Sequence, residues 1–114
     1  MTYVVTGAVA LPAGTPAGTA ALVLVEVRDV SRADGGSTVV GAQVQTDVPI
    51  GPGGRIPFRV EVTVGPAPGA LYSLRVHVDR TGSGVLEPGD LVTTESQPVS
   101  GARSTELTAP VTIV

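Results

Sequence analysis

Apolar and polar residues alternate along most of this 114-residue chain. In residues 55–64, for example, Ile56, Phe58 and Val60 are separated by single polar residues or by proline. Because successive side chains of a strand point to opposite faces of a sheet, this alternation predicts a strand with one buried and one solvated face. The nearly continuous apolar run at residues 21–27 predicts a more central strand. Strands are predicted over residues 3–11, 21–27, 38–45, 55–64, 72–79, 91–96 and 107–113.

Clusters of turn-forming residues separate these runs. They lie at residues 12–18, 31–36, 49–54 and 65–69 and are rich in glycine and proline. No segment shows the 3.6-residue apolar spacing of a helix. We therefore expect an all-β fold: a single antiparallel β-sandwich of about seven strands, immunoglobulin-like or transthyretin-like in architecture, with no substantial helix. Residues 1–114 are predicted to form this one domain.

Two prolines limit where their strands can lie in a sheet. Pro57 and Pro110 fall inside predicted strands, and neither can donate a backbone hydrogen bond. We expect both strands at sheet edges or at β-bulges.

Composition removes several classes of function. The absence of cysteine excludes disulfides, thiolate catalysis, cysteine-ligated metals and the lipid-bearing cysteine of a lipoprotein. The net charge is −3 and the pI is near 4.9, and the seven basic residues are scattered arginines, so we expect no nucleic-acid partner. The longest apolar run is far shorter than the roughly 20 residues of a membrane-spanning helix, so we expect no transmembrane segment.

The chemistry of the sequence is concentrated in residues 79–90, DRTGSGVLEPGD. Their spacing follows the twelve-residue EF-hand calcium loop, in which oxygen ligands recur at alternate positions and glycine occupies position 6. Gly84 holds that sixth position, and Leu86 supplies an apolar residue at position 8. Calcium binding here would use the side chains of Asp79, Thr81, Ser83, Glu87 and Asp90 and the carbonyl of Val85.

This loop departs from the motif in ways that predict weak affinity for calcium. Thr81 and Ser83 replace acidic or amide residues, Asp90 is shorter than the usual glutamate, and the flanking segments are predicted strands. Two interpretations therefore stay open. One is a weak calcium site, and the other is a glycine-rich hairpin loop whose three carboxylates solvent keeps ionised.

No other set of residues points to catalysis. His77, the only histidine, is predicted on the polar face of its strand beside Arg75 and Asp79, with no nucleophile at motif spacing. The GPGG run at residues 51–54 lacks the Lys-Ser/Thr of a phosphate-binding loop. We expect that the chain is not an enzyme, and a metal-assisted hydrolase built on residues 79–90 is the least favoured hypothesis.

Four runs carry a family resemblance: ALVLVEVRDVSRAD at 21–34, IPFRVEV at 56–62, YSLRVHVD at 72–79 and VTTESQPV at 92–99. They resemble the YbaY/YscW-like family, which contains pilotin-type lipoproteins and type III secretion lipoprotein chaperones. The resemblance covers residues 3–100. It implies a small β-sandwich tethered to the outer membrane, with the YscW branch assisting secretin localisation.

The resemblance favours a non-enzymatic protein-interaction module, similar to a pilotin or chaperone-type envelope domain. Its partner would be an unidentified protein, bound by strand addition at a sheet edge. The alternative is a structural β-sandwich with a calcium-stabilised loop at residues 79–90. The chain as given has neither a secretion signal nor a lipid-bearing cysteine, which predicts a cytoplasmic location by default, or the envelope or periplasm if a leader has been removed.

Overall fold

The computed structural model describes residues 2–31, 38–63, 71–94, 97–99 and 107–114. Within these residues the chain forms nine strands and no helix, so the all-β prediction is confirmed. None of the described residues belongs to a helix that could cross a membrane. The strands are β1 (Thr2–Ala10), β2 (Gly18–Asp29), β3 (Thr38–Ile50), β4 (Arg55–Thr63), β5 (Tyr72–Asp79), β6 (Leu91–Val92), β7 (Gln97–Val99), β8 (Leu107–Pro110) and β9 (Thr112–Ile113).

Two sheets pack face to face and form the predicted sandwich. One has three strands in the order β4-β1-β8, and the other has six, in the order β3-β2-β5-β6-β9 with β7 also paired to β5. All pairs are antiparallel except β1 and β8, which run parallel. The strand predicted at residues 107–113 is divided, because it supplies β8 to one sheet and β9 to the other. The turn predicted at residues 65–69 lies outside the described residues, as do residues 32–36 and 95–96.

The core lies where the alternation predicts it. β4 buries Ile56, Phe58, Val60 and Val62 between the sheets and exposes the residues between them. β2 contributes valines at alternate positions in the same way, so the sheets meet largely through β-branched side chains. Full burial of a side chain of this size contributes about 1.5–3 kcal/mol relative to leaving it exposed.

At one side of the sandwich, β3 covers the edge of β4. Gln43 Oε1 accepts the backbone N–H of Arg59 at 2.9 Å, and Gln45 Nε2 donates to the C=O of Pro57 at 2.9 Å. Gly41 makes this close approach possible, because a Cβ atom there would lie 2.4 Å from a backbone oxygen of β4. One outer N–H and one outer C=O in the middle of β4 are therefore paired by side chains of β3, although the two strands belong to different sheets.

At the opposite side, the C-terminal residues connect the two sheets. The chain leaves β8, passes through the buried Val111, and continues as β9 beside β6. The N–H of Val111 donates to the C=O of Ala10 at 3.2 Å, which anchors the crossing point to β1. This crossing closes the second side of the sandwich.

Both prolines lie in edge strands, as predicted. Pro57 is in β4 and Pro110 is in β8, the two outer strands of the three-stranded sheet. Because the C=O of Pro57 points to Gln45, the missing N–H of this proline lies on the outer side of the sheet and interrupts no ladder.

Candidate functional site

The candidate calcium residues lie at and within the connection from β5 to β6. β5 ends at Asp79, and β6 begins directly after Asp90. These two residues are only 2% and 1% exposed. The interpretation in which solvent keeps all the loop carboxylates ionised is therefore wrong for both aspartates, because the loop folds over the end of β5 and covers them.

The Asp79 carboxylate accepts hydrogen bonds from the backbone of the loop. Its Oδ1 accepts the N–H of Thr81 at 3.2 Å and of Gly82 at 2.9 Å, and its Oδ2 accepts the N–H of Gly84 at 2.8 Å. Gly82 and Gly84 have φ angles of 80° and 78°, in the left-handed region that glycine adopts without steric cost. The glycine predicted at the sixth loop position thus has a special backbone conformation, and its N–H points at the carboxylate.

The Asp90 carboxylate connects the loop to β5. Its Oδ1 accepts the N–H of Arg80 at 3.0 Å. Its Oδ2 accepts the N–H of Glu87 at 3.1 Å and lies 2.9 Å from Nε2 of His77. With Asp90 ionised, the imidazole donates from Nε2, since a carboxylate offers only acceptors. The histidine of β5 is therefore part of the network that holds the loop.

Hydrogen bonding keeps both buried carboxylates charged. Burial raises the pKa of Asp79, but the N–H groups of Gly84 and Gly82 outweigh that effect and hold the pKa below its ordinary value. Burial also raises the pKa of Asp90, and here the hydrogen bond from His77 leads the contributions that bring the pKa below its ordinary value.

The other predicted ligands form two separate pairs. Thr81 Oγ1 donates to Glu87 Oε2 at 2.9 Å, and both residues also donate backbone N–H groups to the buried aspartates. Ser83 Oγ donates to the C=O of Val85 at 3.2 Å, and these two residues are exposed. The structure therefore joins the first pair to the aspartates and leaves the second pair at the surface.

A cation site at this loop stays a prediction. Among the described residues, ligand atoms of His77, Asp79 and Asp90 lie within 4.8 Å of one another. Oδ2 of Asp79 and Oδ1 of Asp90 each accept one hydrogen bond, so both retain acceptor capacity. Sequence reasoning left His77 out of the ligand set because it precedes the twelve-residue motif.

The loop also forms one wall of a groove on the outer face of the six-stranded sheet. The strand register aligns Leu24, His77 and Val92, which form the floor of the groove. Leu86 of the loop and Arg75 of β5 also line the groove, which has a volume of about 300 Å³. We refer to this cavity as the loop-walled groove. Sequence reasoning missed it, because the position of Leu86 depends on how the loop returns over the sheet.

The buried carboxylates predict a loss of stability in acid. Their pKa values are depressed in the folded state, so their contribution is present above the ordinary value of 3.8 and is lost as the pH falls through the depressed values. At neutral pH, Asp79→Asn should lower the unfolding free energy by about 2–3 kcal/mol, because an amide cannot accept all of these hydrogen bonds. The unfolding free energy of this variant should also depend less on pH than that of the wild type, both from neutrality down to pH 3.8 and below pH 3.8.

Urea denaturation across this pH range measures both effects. Glu61→Gln is the matched control. The Glu61 side chain is 66% exposed, so its contact with solvent changes little on folding. Equal pH dependence in the wild type and in Asp79→Asn would contradict the prediction.

The calcium hypothesis predicts a change in thermal stability. A cation that binds only the folded loop stabilises the folded state, and the melting temperature rises with the logarithm of its concentration once this exceeds the Kd. We expect a higher melting temperature in millimolar calcium than in EDTA, and this increase should disappear in Asp79→Asn. Identical wild-type melting curves in calcium and EDTA would contradict the hypothesis.

Comparison with known proteins gives a fold relationship. No protein-family model and no curated protein sequence matches the chain. Among solved structures, the chain is similar to an alternative pilotin from the type II secretion system of Vibrio cholerae, with a TM-score of 0.75 and 20% sequence identity. The match covers 100% of this chain and 98% of that protein. The chain therefore has a pilotin-like fold, and its resemblance to the YbaY/YscW-like family stays an expectation.

Proposed function

We propose that this chain is a non-enzymatic protein-interaction domain of the pilotin type, acting in the cell envelope. The similarity to a pilotin over almost the whole of both chains supports this proposal at the level of fold. The observation that carries it is the open edge of β3, the outermost strand of the six-stranded sheet. We further propose that a partner adds an extended segment to this edge.

The ladder geometry determines which backbone groups of β3 are available. The N–H of Thr93 donates to the C=O of Val76, so even-numbered residues of β5 direct their backbone N–H and C=O groups towards β6. Backbone groups alternate sides along an antiparallel strand, so odd-numbered residues of β5 direct theirs towards β2, where they pair with even-numbered residues. The odd-numbered residues of β2 then direct their backbone groups towards β3, where they pair with odd-numbered residues. Ala42, Val44 and Thr46 then direct their N–H and C=O groups away from the sheet.

The side chains of β3 also suit strand addition. The strand has 13 residues and a single charge, at Asp47. Val39 and Val44 are 43% and 59% exposed on it. Long edge strands usually carry charges or prolines that discourage pairing, and β3 has one proline, Pro49, near its end.

The other described edges are less available. In the middle of β4, Gln43 and Gln45 bond to the outer backbone groups of Arg59 and Pro57, and the crossing at Val111 closes the opposite side. β7 has only three residues, and one of them is Pro98. These differences support β3 as the strand to which the proposed partner adds.

A calcium-stabilised structural domain is the second candidate. It is favoured by one observation, the closeness of the ligand atoms of His77, Asp79 and Asp90. The melting experiment above separates it from a loop held by hydrogen bonds alone.

A photocrosslinking residue placed at Val44 tests the interaction proposal in the native host. We expect a discrete crosslink to one protein that is absent when the same residue replaces Arg59, which is exposed on the other sheet. An extended peptide from the crosslinked region should then bind the purified chain.

Two variants of Val44 test strand addition itself. Val44→Pro deletes an outward N–H and should weaken binding of that peptide by about 10-fold, whereas Val44→Thr keeps the N–H and should bind within about 2-fold of the wild type. No crosslink above the Arg59 control, or equal peptide binding by the two Val44 variants, would contradict the proposal.

A further inference from the structure

The loop-walled groove presents apolar side chains in a concave surface. Leu86 is 51% exposed, and Leu24 and Val92 lie half-buried on the sheet beneath the loop. Leu86 is held in place, since the next residue, Glu87, donates its N–H to the buried Asp90. Exposed apolar groups around a cavity of this size are typical of binding surfaces.

One cation of the groove is available to a ligand. Arg75 lies opposite Glu26 across the β2–β5 pair, but Glu26 forms its ion pair with Arg28 at 3.2 Å. In the part of the chain that the structure describes, the guanidinium of Arg75 makes no hydrogen bond or ion pair. Glu26 also lines the groove, and its carboxylate already pairs with Arg28, whose side chain does not line the groove. The guanidinium of Arg75 is thus the charged group of the lining that a carboxylate from a ligand would complement.

We propose that the loop-walled groove binds a segment of a partner protein in which a large apolar side chain is next to Asp or Glu. The apolar side chain packs between Leu86 and the floor of the sheet, and the carboxylate pairs with the guanidinium of Arg75. This inference rests on the proposed function, because it names a second contact for the same protein partner. It uses other residues than the β3 edge, so the two contacts can be tested separately.

A display library of random peptides, selected on the immobilised full chain, tests the groove even though the partner protein is unidentified. We expect enriched peptides to contain an aliphatic or aromatic residue beside Asp or Glu. Fluorescence anisotropy of the synthesised peptides should give a Kd that is about 10-fold weaker for Leu86→Ala and for Arg75→Gln. Replacing the peptide carboxylate by an amide should weaken wild-type binding similarly and should have little further effect on Arg75→Gln.

Two matched controls separate the groove from general surface effects. Val85→Ala changes an adjacent exposed apolar residue that does not line the groove, and Arg59→Gln removes an exposed arginine on the other sheet. Both should bind the peptides within about 2-fold of the wild type. Thermal melts of all variants should match the wild type, since the substituted side chains are exposed.

Several different results would overturn the proposal that the groove binds a partner segment. Enrichment of no peptide, or of peptides whose Kd is unaffected by Arg75→Gln, would overturn the inference. Peptides that lose binding to Val44→Pro but not to Leu86→Ala would place the contact at the β3 edge, which supports the proposed function and overturns the groove. A dimer that Leu86→Ala dissociates in analytical ultracentrifugation would assign the groove to a second copy of the chain and overturn the partner segment.

Discussion

Two carboxylates enclosed by protein stay charged only when N–H groups replace the water that they have lost. In this chain most of the donors are backbone groups of the loop itself, so Asp79 and Asp90 at its two ends dictate its conformation. Removal of either carboxylate would leave several donors without partners, which costs more than a single missing hydrogen bond. The loop is therefore a fixed part of the fold, although it contains no strand.

The need of the buried carboxylates for N–H donors also connects the fold to its candidate binding surfaces. Because Asp90 holds Glu87, the preceding Leu86 lines a groove on the outer face of the six-stranded sheet. The sandwich itself is closed at both sides, by the glutamines of β3 over β4 and by the C-terminal strands that cross between the sheets. In the described residues, the outer backbone of β3 and the groove remain open, and both belong to the six-stranded sheet. The proposed interaction role depends on these two surfaces.

The alternation of apolar and polar residues predicted the strands, because the residues of a strand that face the core are apolar and those between them are polar. In β4 buried and exposed residues alternate at every position. Asp79 marks the limit of this reasoning. Alternation assigns it to the polar face, but residues that follow it return and bury it. The contacts of Gln43 and Gln45 with β4 likewise join distant segments, which periodicity does not encode.

Within the site, loop spacing identified Gly84 and both aspartates. Spacing alone cannot distinguish carboxylate oxygens that bind a cation from those that accept N–H groups, because both use the same atoms.

Native-state amide hydrogen exchange, followed by NMR, tests most directly whether the buried carboxylates hold the loop. The N–H groups of Gly82 and Gly84 donate to Asp79, whereas those of Ser83 and Leu86 have no hydrogen-bond partner among the described residues. We predict that the first two exchange clearly more slowly than the second two. Exchange of all four at the same unprotected rate would contradict the central claim, since the carboxylate would then not be holding the backbone that surrounds it.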